Sequence, residues 1–301
     1  MLTGDSGDNA LVGGAGNDTL TGLAGDDALS GGLGDDRYVF DADSALGTDT
    51  IEELAGEGID TLDFSSTTGV GLNIDLSLDS PQLVDTGHLT IALSGGDVIE
   101  NAIGGSRVDV IKGNSLDNAI TGGPGQDTID GRDGHDTVVE ARDANFILTS
   151  TRLTIGTEGY DNLTSIEGAR LTGGAGDNTI DATGFTAGPV VLDGGAGNDI
   201  LKGGIRGDVL IGGTGINTLS GGAGDDTYVL TPGETATISE NYNAGRDTLD
   251  YSLFTTDVTA ALGGAATGVS GTVVNVENLT GGSGDDTLTG NAAANRLAGG
   301  P

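Results

Sequence analysis

The chain has 301 residues, with 46 acidic side chains against 11 basic ones and a formal net charge of −35. That balance excludes a nucleic-acid binder, which needs a basic surface for phosphates, and it opposes direct docking on an anionic membrane; no apolar run reaches spanning length, so direct membrane insertion is excluded as well. Cysteine is absent, Trp is absent and aromatics are 3%, while Gly numbers 58, so neither disulfides nor large side chains can hold a core together.

In chain order, the first repeat run is 1–39. From residue 4 it reads in nines, and residues 13–39 give three full units. Glycine stands at places one and four and usually at place two, aspartate at place six and an apolar residue at place eight. The glycines ask for a tight turn with φ > 0. The tail, as in Thr19-Leu20-Thr21, alternates into a very short strand with one inward side chain. One such strand buries too little alone, so units must stack. Place eight then becomes the interior: Leu11, Leu20, Leu29, Tyr38, Ile111, Ile120, Ile129, Val138, Ile180, Leu201, Leu210, Leu219, Tyr228, Leu288 and Leu297 all fall there.

A strand-rich spacer follows at 40–103, with alternating candidates at 50–52, 60–64, 72–76 and 89–93. Further repeats occupy 104–139, where Arg107 replaces a glycine. The spacer 140–172 has candidate strands at 145–148 and 152–155, and repeats resume over 173–229 with an insert at 182–193. The spacer 230–280 copies 40–103: Asp60-Thr61-Leu62-Asp63-Phe64-Ser65 matches Asp247-Thr248-Leu249-Asp250-Tyr251-Ser252, and Tyr38-Val39 matches Tyr228-Val229. The last run is 281–301. It stops at Gly299-Gly300-Pro301, the opening of another unit, and neither end resembles a solenoid cap, so part of a longer chain is expected. The fold class predicted is all-β: a parallel β-roll or β-solenoid whose spacers continue the ladder.

A column of carboxylates in adjacent turns repels itself unless a cation lies between them. Oxygen-only ligands suit Ca²⁺ before Mg²⁺. Zinc is disfavoured, since there is no cysteine and only His88 and His135. These units resemble the RTX, or haemolysin-type, calcium-binding nonapeptide repeats. The resemblance implies a roll with two units per turn, several Ca²⁺ ions between stacked loops, and place-six aspartates as side-chain ligands. Here those are Asp18, Asp27, Asp36, Asp109, Asp127, Asp136, Asp199, Asp208, Asp226 and Asp286. Asn9, Asn118, Asn178, Asn217 and Asn295 hold the same place without charge, which implies weaker or empty sites, and the Arg107 unit is in doubt. Place-five aspartates, among them Asp26, Asp35, Asp225 and Asp285, are expected to face solvent, and Tyr38 and Tyr228 to plug the core.

The resemblance also implies type I secretion and folding in extracellular calcium, where sites of Kd around 10⁻⁴–10⁻³ M fill and binding energy becomes folding energy. The reading is a non-enzymatic folding, secretion or structural module of a larger secreted bacterial protein. Two alternatives stay open: an adhesin with a cell-surface or carbohydrate partner, and a fragment of an enzyme. Ice binding is opposed by the mixed residues at place three. No His-Glu-x-x-His, Gly-x-Ser-x-Gly or Gly-x-x-x-x-Gly-Lys motif is present.

Overall fold

The computed structural model describes residues 1–85, 87–241 and 245–300. Thr86 of the first spacer, 242–244 of the spacer 230–280 and Pro301 of the last run lie outside the described residues. Among those described there is no helix. The chain divides into two units, Met1–Val139 with Thr157–Glu167, and Glu140–Gly156 with Gly168–Pro301.

In the first unit successive strands alternate between two ladders, so two nonapeptides complete one turn of a roll. One ladder stacks Leu2, Leu20, Tyr38, Leu62, Ala102, Ile120 and Val138 in parallel register. The other runs Leu11–Leu29–Ile51–Leu93, with a separate stack Ile74–Ile111–Ile129–Leu163. In the second unit, Leu171, Leu192, Leu210, Tyr228, Leu249, Leu279 and Leu297 form one ladder. Phe146, Ile180, Leu201, Leu219 and Ile238 form the other.

The strands Thr19–Thr21, Val110–Lys112, Ala119–Thr121 and Val209–Ile211 bury their middle side chain and leave its neighbours half-exposed, as period two requires. Each fully buried Leu or Ile contributes roughly 1.5–3 kcal/mol, and the ladder accumulates that increment turn by turn. The spacers join the ladders through Thr61–Asp63, Asn73–Asp75, Gly47–Ile51 and Leu89–Leu93, as expected. Antiparallel pairing departs from the all-parallel expectation where Gln82–Leu83 meets Leu89–Leu93 and where Phe146–Thr149 meets Arg152–Ile155, and an isolated bridge joins Ala260 and Ala266 in the same sense. In each the connection is too short for a crossover. The place-eight row is not uniformly interior. Leu11 and Leu288 are half-buried and Leu297 is 44% exposed, because these strands lie where few turns remain to cover them.

Candidate metal centres

The nonapeptide turns put a carboxylate at the same point of each turn, and the structure connects those points. In each case a backbone N–H donates to the side chain one turn later. The N–H of Asn9 reaches Asp27 Oδ1 at 2.7 Å, and that of Asp18 reaches Asp36 Oδ1 at 2.6 Å. Asp109 N–H reaches Asp127 Oδ1 at 2.8 Å, Asn118 N–H reaches Asp136 Oδ1 at 2.8 Å, and Asn178 N–H reaches Asp199 Oδ1 at 2.7 Å. Asp208 N–H reaches Asp226 Oδ1 at 2.7 Å. Within the runs the step is 18 residues, two units of nine.

The second carboxylate oxygen divides the loops into two kinds. In closed loops the place-two N–H of the same loop donates to it: Gly105 to Asp109 Oδ2 at 2.7 Å, and Gly204 to Asp208 Oδ2 at 2.6 Å. The place-two N–H also caps the single amide oxygen of Asn9, Asn118, Asn178 and Asn295. In open loops place two has turned to positive φ: Leu23 (72°), Gly32 (91°), Arg132 (74°), Gly195 (86°) and Gly222 (106°). Its N–H no longer faces the carboxylate. The Oδ2 atoms of Asp27, Asp36, Asp136, Asp199 and Asp226 are then buried with no hydrogen-bond partner. Asp286 Oδ2, and Asp49 Oδ2 in the first spacer, are in the same condition. A buried unpartnered carboxylate oxygen is costly in the absence of a counter-charge.

Electrostatics agree with the geometry. Burial first, and neighbouring carboxylates second, push Asp49, Asp60, Asp226 and Asp247 up to about 7 and Asp136 to about 6, against the pull of the donated N–H groups. Burial alone raises Asp109 and Asp208 to about 6, and it also raises Asp36 and Asp199. The column resists carrying its full negative charge unaided.

Six stretches, residues 3–38, 103–138, 169–184, 186–205, 202–233 and 276–301, match the family described as RTX calcium-binding nonapeptide repeat (4 copies). Together they cover more than half of the chain. The protein belongs to this family. No curated protein matches it. The RTX repeats make it a calcium-binding β-roll, and the residues present fit that ion: the open loops offer hard anionic oxygens, buried and lacking any donor.

The ten predicted aspartates of these RTX units do not share one environment. Asp27, Asp36, Asp136, Asp199, Asp226 and Asp286 present an unpartnered oxygen. Asp127 is fully buried, accepting from Asp109, with its own N–H on Asp161 Oδ1 at 2.9 Å. Asp18 is half-buried, 3.6 Å from the Met1 ammonium. Asp109 and Asp208 have both oxygens taken. Both sit in units with arginine at place four, Arg107 and Arg206, where the five open loops above have glycines at φ of 119–128°. Asn217 differs from the other asparagines. Its loop is open, with Gly213 at φ 80°, and its amide nitrogen donates to buried Glu234 at 3.1 Å.

Several column members lie outside any nonapeptide and were not among the predicted residues. Asp49, Asp60, Asp161 and Asp247 receive the N–H of the preceding turn, as do Glu100, Glu167 and Glu277. A signal existed: each opens an acid-x-apolar triplet, such as Asp49-Thr50-Ile51 or Glu277-Asn278-Leu279, matching Asp18-Thr19-Leu20. The place-five side chains are exposed, as expected, but they also cap backbone: Asp26, Asp35 and Asp225 accept from Thr48, Ile59 and Arg246. Tyr38 and Tyr228 are fully buried.

Proposed function

We propose that this RTX roll is a non-enzymatic folding and structural module of a larger secreted bacterial protein, exported by type I secretion and folded by extracellular calcium. The observation that carries the reading is the set of buried place-six carboxylate oxygens with nothing to bond to, five of them in open loops and the sixth that of Asp286. Asp27, Asp36, Asp136, Asp199, Asp226 and Asp286 would hold the ions; the Asp109 and Asp208 loops and those of Asn9, Asn118, Asn178 and Asn295 would not. Bound calcium supplies positive charge between turns that otherwise repel. The chain itself supplies turns pre-set by positive φ at place two in the Asp27, Asp36, Asp136, Asp199 and Asp226 loops, N–H groups that orient each carboxylate, and an apolar ladder that aligns successive loops. Before export, cytosolic calcium is too dilute to fill weak sites, and the −35 charge keeps the chain expanded.

Circular dichroism and metal analysis test this. The expected result is a disordered spectrum in chelator and a β spectrum in millimolar calcium, with several ions bound per chain. A β fold that forms fully in chelator and is indifferent to calcium would overturn it.

A further inference from the structure

Two buried clusters lie where a repeat run meets a spacer. One carboxylate oxygen from each of Asp36, Glu53 and Asp60 lies within 4.8 Å of the other two, and Asp226, Glu240 and Asp247 do the same. The copies were built from separate stretches with the same parts: Asp-x-Tyr at the end of the run, then Glu and Asp seven residues apart, Glu53 to Asp60 and Glu240 to Asp247. Four of the six acids belong to no nonapeptide.

In each copy the tyrosine fixes the glutamate. Tyr38 hydroxyl donates to Glu53 Oε1 and accepts the Gly31 N–H at 2.7 Å. The same Oε1 accepts Gly31 N–H at 2.9 Å. Tyr228 donates to Glu240 Oε1 and accepts Gly221 N–H at 2.7 Å. With Oε1 so occupied, Glu53 Oε2 is left without a partner in a side chain only 2% exposed. Asp36 Oδ2 and Asp226 Oδ2 are likewise unpartnered, each in a side chain 1% exposed. Among the described residues, no lysine or arginine forms an ion pair with any of the six acids. Three carboxylates at this separation, buried and without a base, demand a positive charge.

We infer that each cluster is a divalent-cation site distinct in kind from the loop sites, taking calcium between the last turn of a run and the first turns of its spacer. Its role is to staple the spacer to the run, which accounts for the matched Glu and Asp in both spacers. Glu53, Asp60, Glu240 and Asp247 are the defining ligands; Tyr38 and Tyr228 are positioning residues. Asp36 and Asp226 are shared with the loop reading, so the test uses the residues that are not.

Calcium is counted by metal analysis and calorimetry on the full chain at a pH of about 8, well above the reference carboxylate range. Glu53→Gln is expected to bind one ion fewer than the parent, and Glu53→Gln/Glu240→Gln two fewer, with the loop ions retained. Asp60→Asn/Asp247→Asn gives an independent count should the glutamine pair not fold. An unchanged count in either folded pair overturns the inference. On the unmodified protein, terbium in these sites would lie beside Tyr38 and Tyr228; with Trp absent, tyrosine excitation must then sensitise its emission. Terbium-loaded protein without such emission also overturns it. A parent that binds no calcium at all would instead sink the loop reading.

Discussion

Asp199 and Asp208 form a matched pair on which the two kinds of loop can be told apart. Each is 1% exposed, and each orients one oxygen on a backbone N–H, of Asn178 at 2.7 Å and of Val190 at 2.8 Å. They differ in the other oxygen, which in Asp208 takes the Gly204 N–H at 2.6 Å and in Asp199 takes nothing. Asparagine at 199 keeps the Asn178 bond and puts an amide where the free oxygen was. The only loss is the ion, worth ~2.7 kcal/mol at a calcium concentration 100 times Kd, or about 10 mM for a tight extracellular-type site. That corresponds to ~5–10 °C in melting temperature for a unit of this size. Asparagine at 208 has one oxygen for two N–H groups, so one is stranded at a cost of roughly 1–3 kcal/mol at every calcium concentration. Melts over calcium concentrations that support the fold, up to about 10 mM, separate the cases. Asp199→Asn should lie nearest the parent at the lowest of these and fall behind as calcium rises, losing one bound ion. Asp208→Asn should be offset by a constant amount with its ion count unchanged. Equal calcium dependence for the two variants would refute the distinction between open and closed loops.

Other outcomes follow from the same structure. The buried aspartates have folded-state pKa values raised to about 6–7, so their protonated form favours the fold; that contribution is complete below the unfolded value near 4 and is lost as pH rises through about 7. In chelator, acidifying from pH of about 8 to about 5 should therefore restore part of the β signal, while calcium affinity falls over the same window; circular dichroism and calorimetry read both. Gly14 and Gly32 have similar φ, 104° and 91°, but a Cβ at Gly32 would sit 2.4 Å from the Gly14 carbonyl oxygen, whereas one at Gly14 meets nothing within 4 Å. Gly14→Ala should cost about 1–2 kcal/mol of backbone strain, and Gly32→Ala clearly more, in urea unfolding with calcium present. Arg206→Gly should let its loop open, releasing Asp208 Oδ2 and adding one ion by metal analysis.

The nine-residue period made the roll, its place-eight core and the aspartate column legible, because one residue per turn repeats and everything else is turn. The antiparallel pairings at Gln82–Leu83 and Phe146–Thr149 were not, since alternation marks a strand without giving its direction. Within the column, a sequence motif names a carboxylate but not what its second oxygen meets. The closed Asp109 loop matches the doubt raised by Arg107, yet Arg206 carries the same warning one run later and was passed over. Glu53 and Glu240 escaped notice because a tyrosine from another turn aims them, and no local spacing records that contact.

The place-six bonds all run one way: a backbone N–H is sealed by a carboxylate from the turn that follows it. The place-five caps run the other way: the N–H groups of Thr48, Ile59 and Arg246 are sealed by carboxylates from the turn before them. Removing turns from the downstream side therefore strands place-six donors, many of them buried, whereas removing the same number upstream strands exposed place-five donors that water satisfies. Each turn's place-six donor is finished by its successor and its exposed place-five donor by its predecessor, so equal deletions from the two sides should differ in cost.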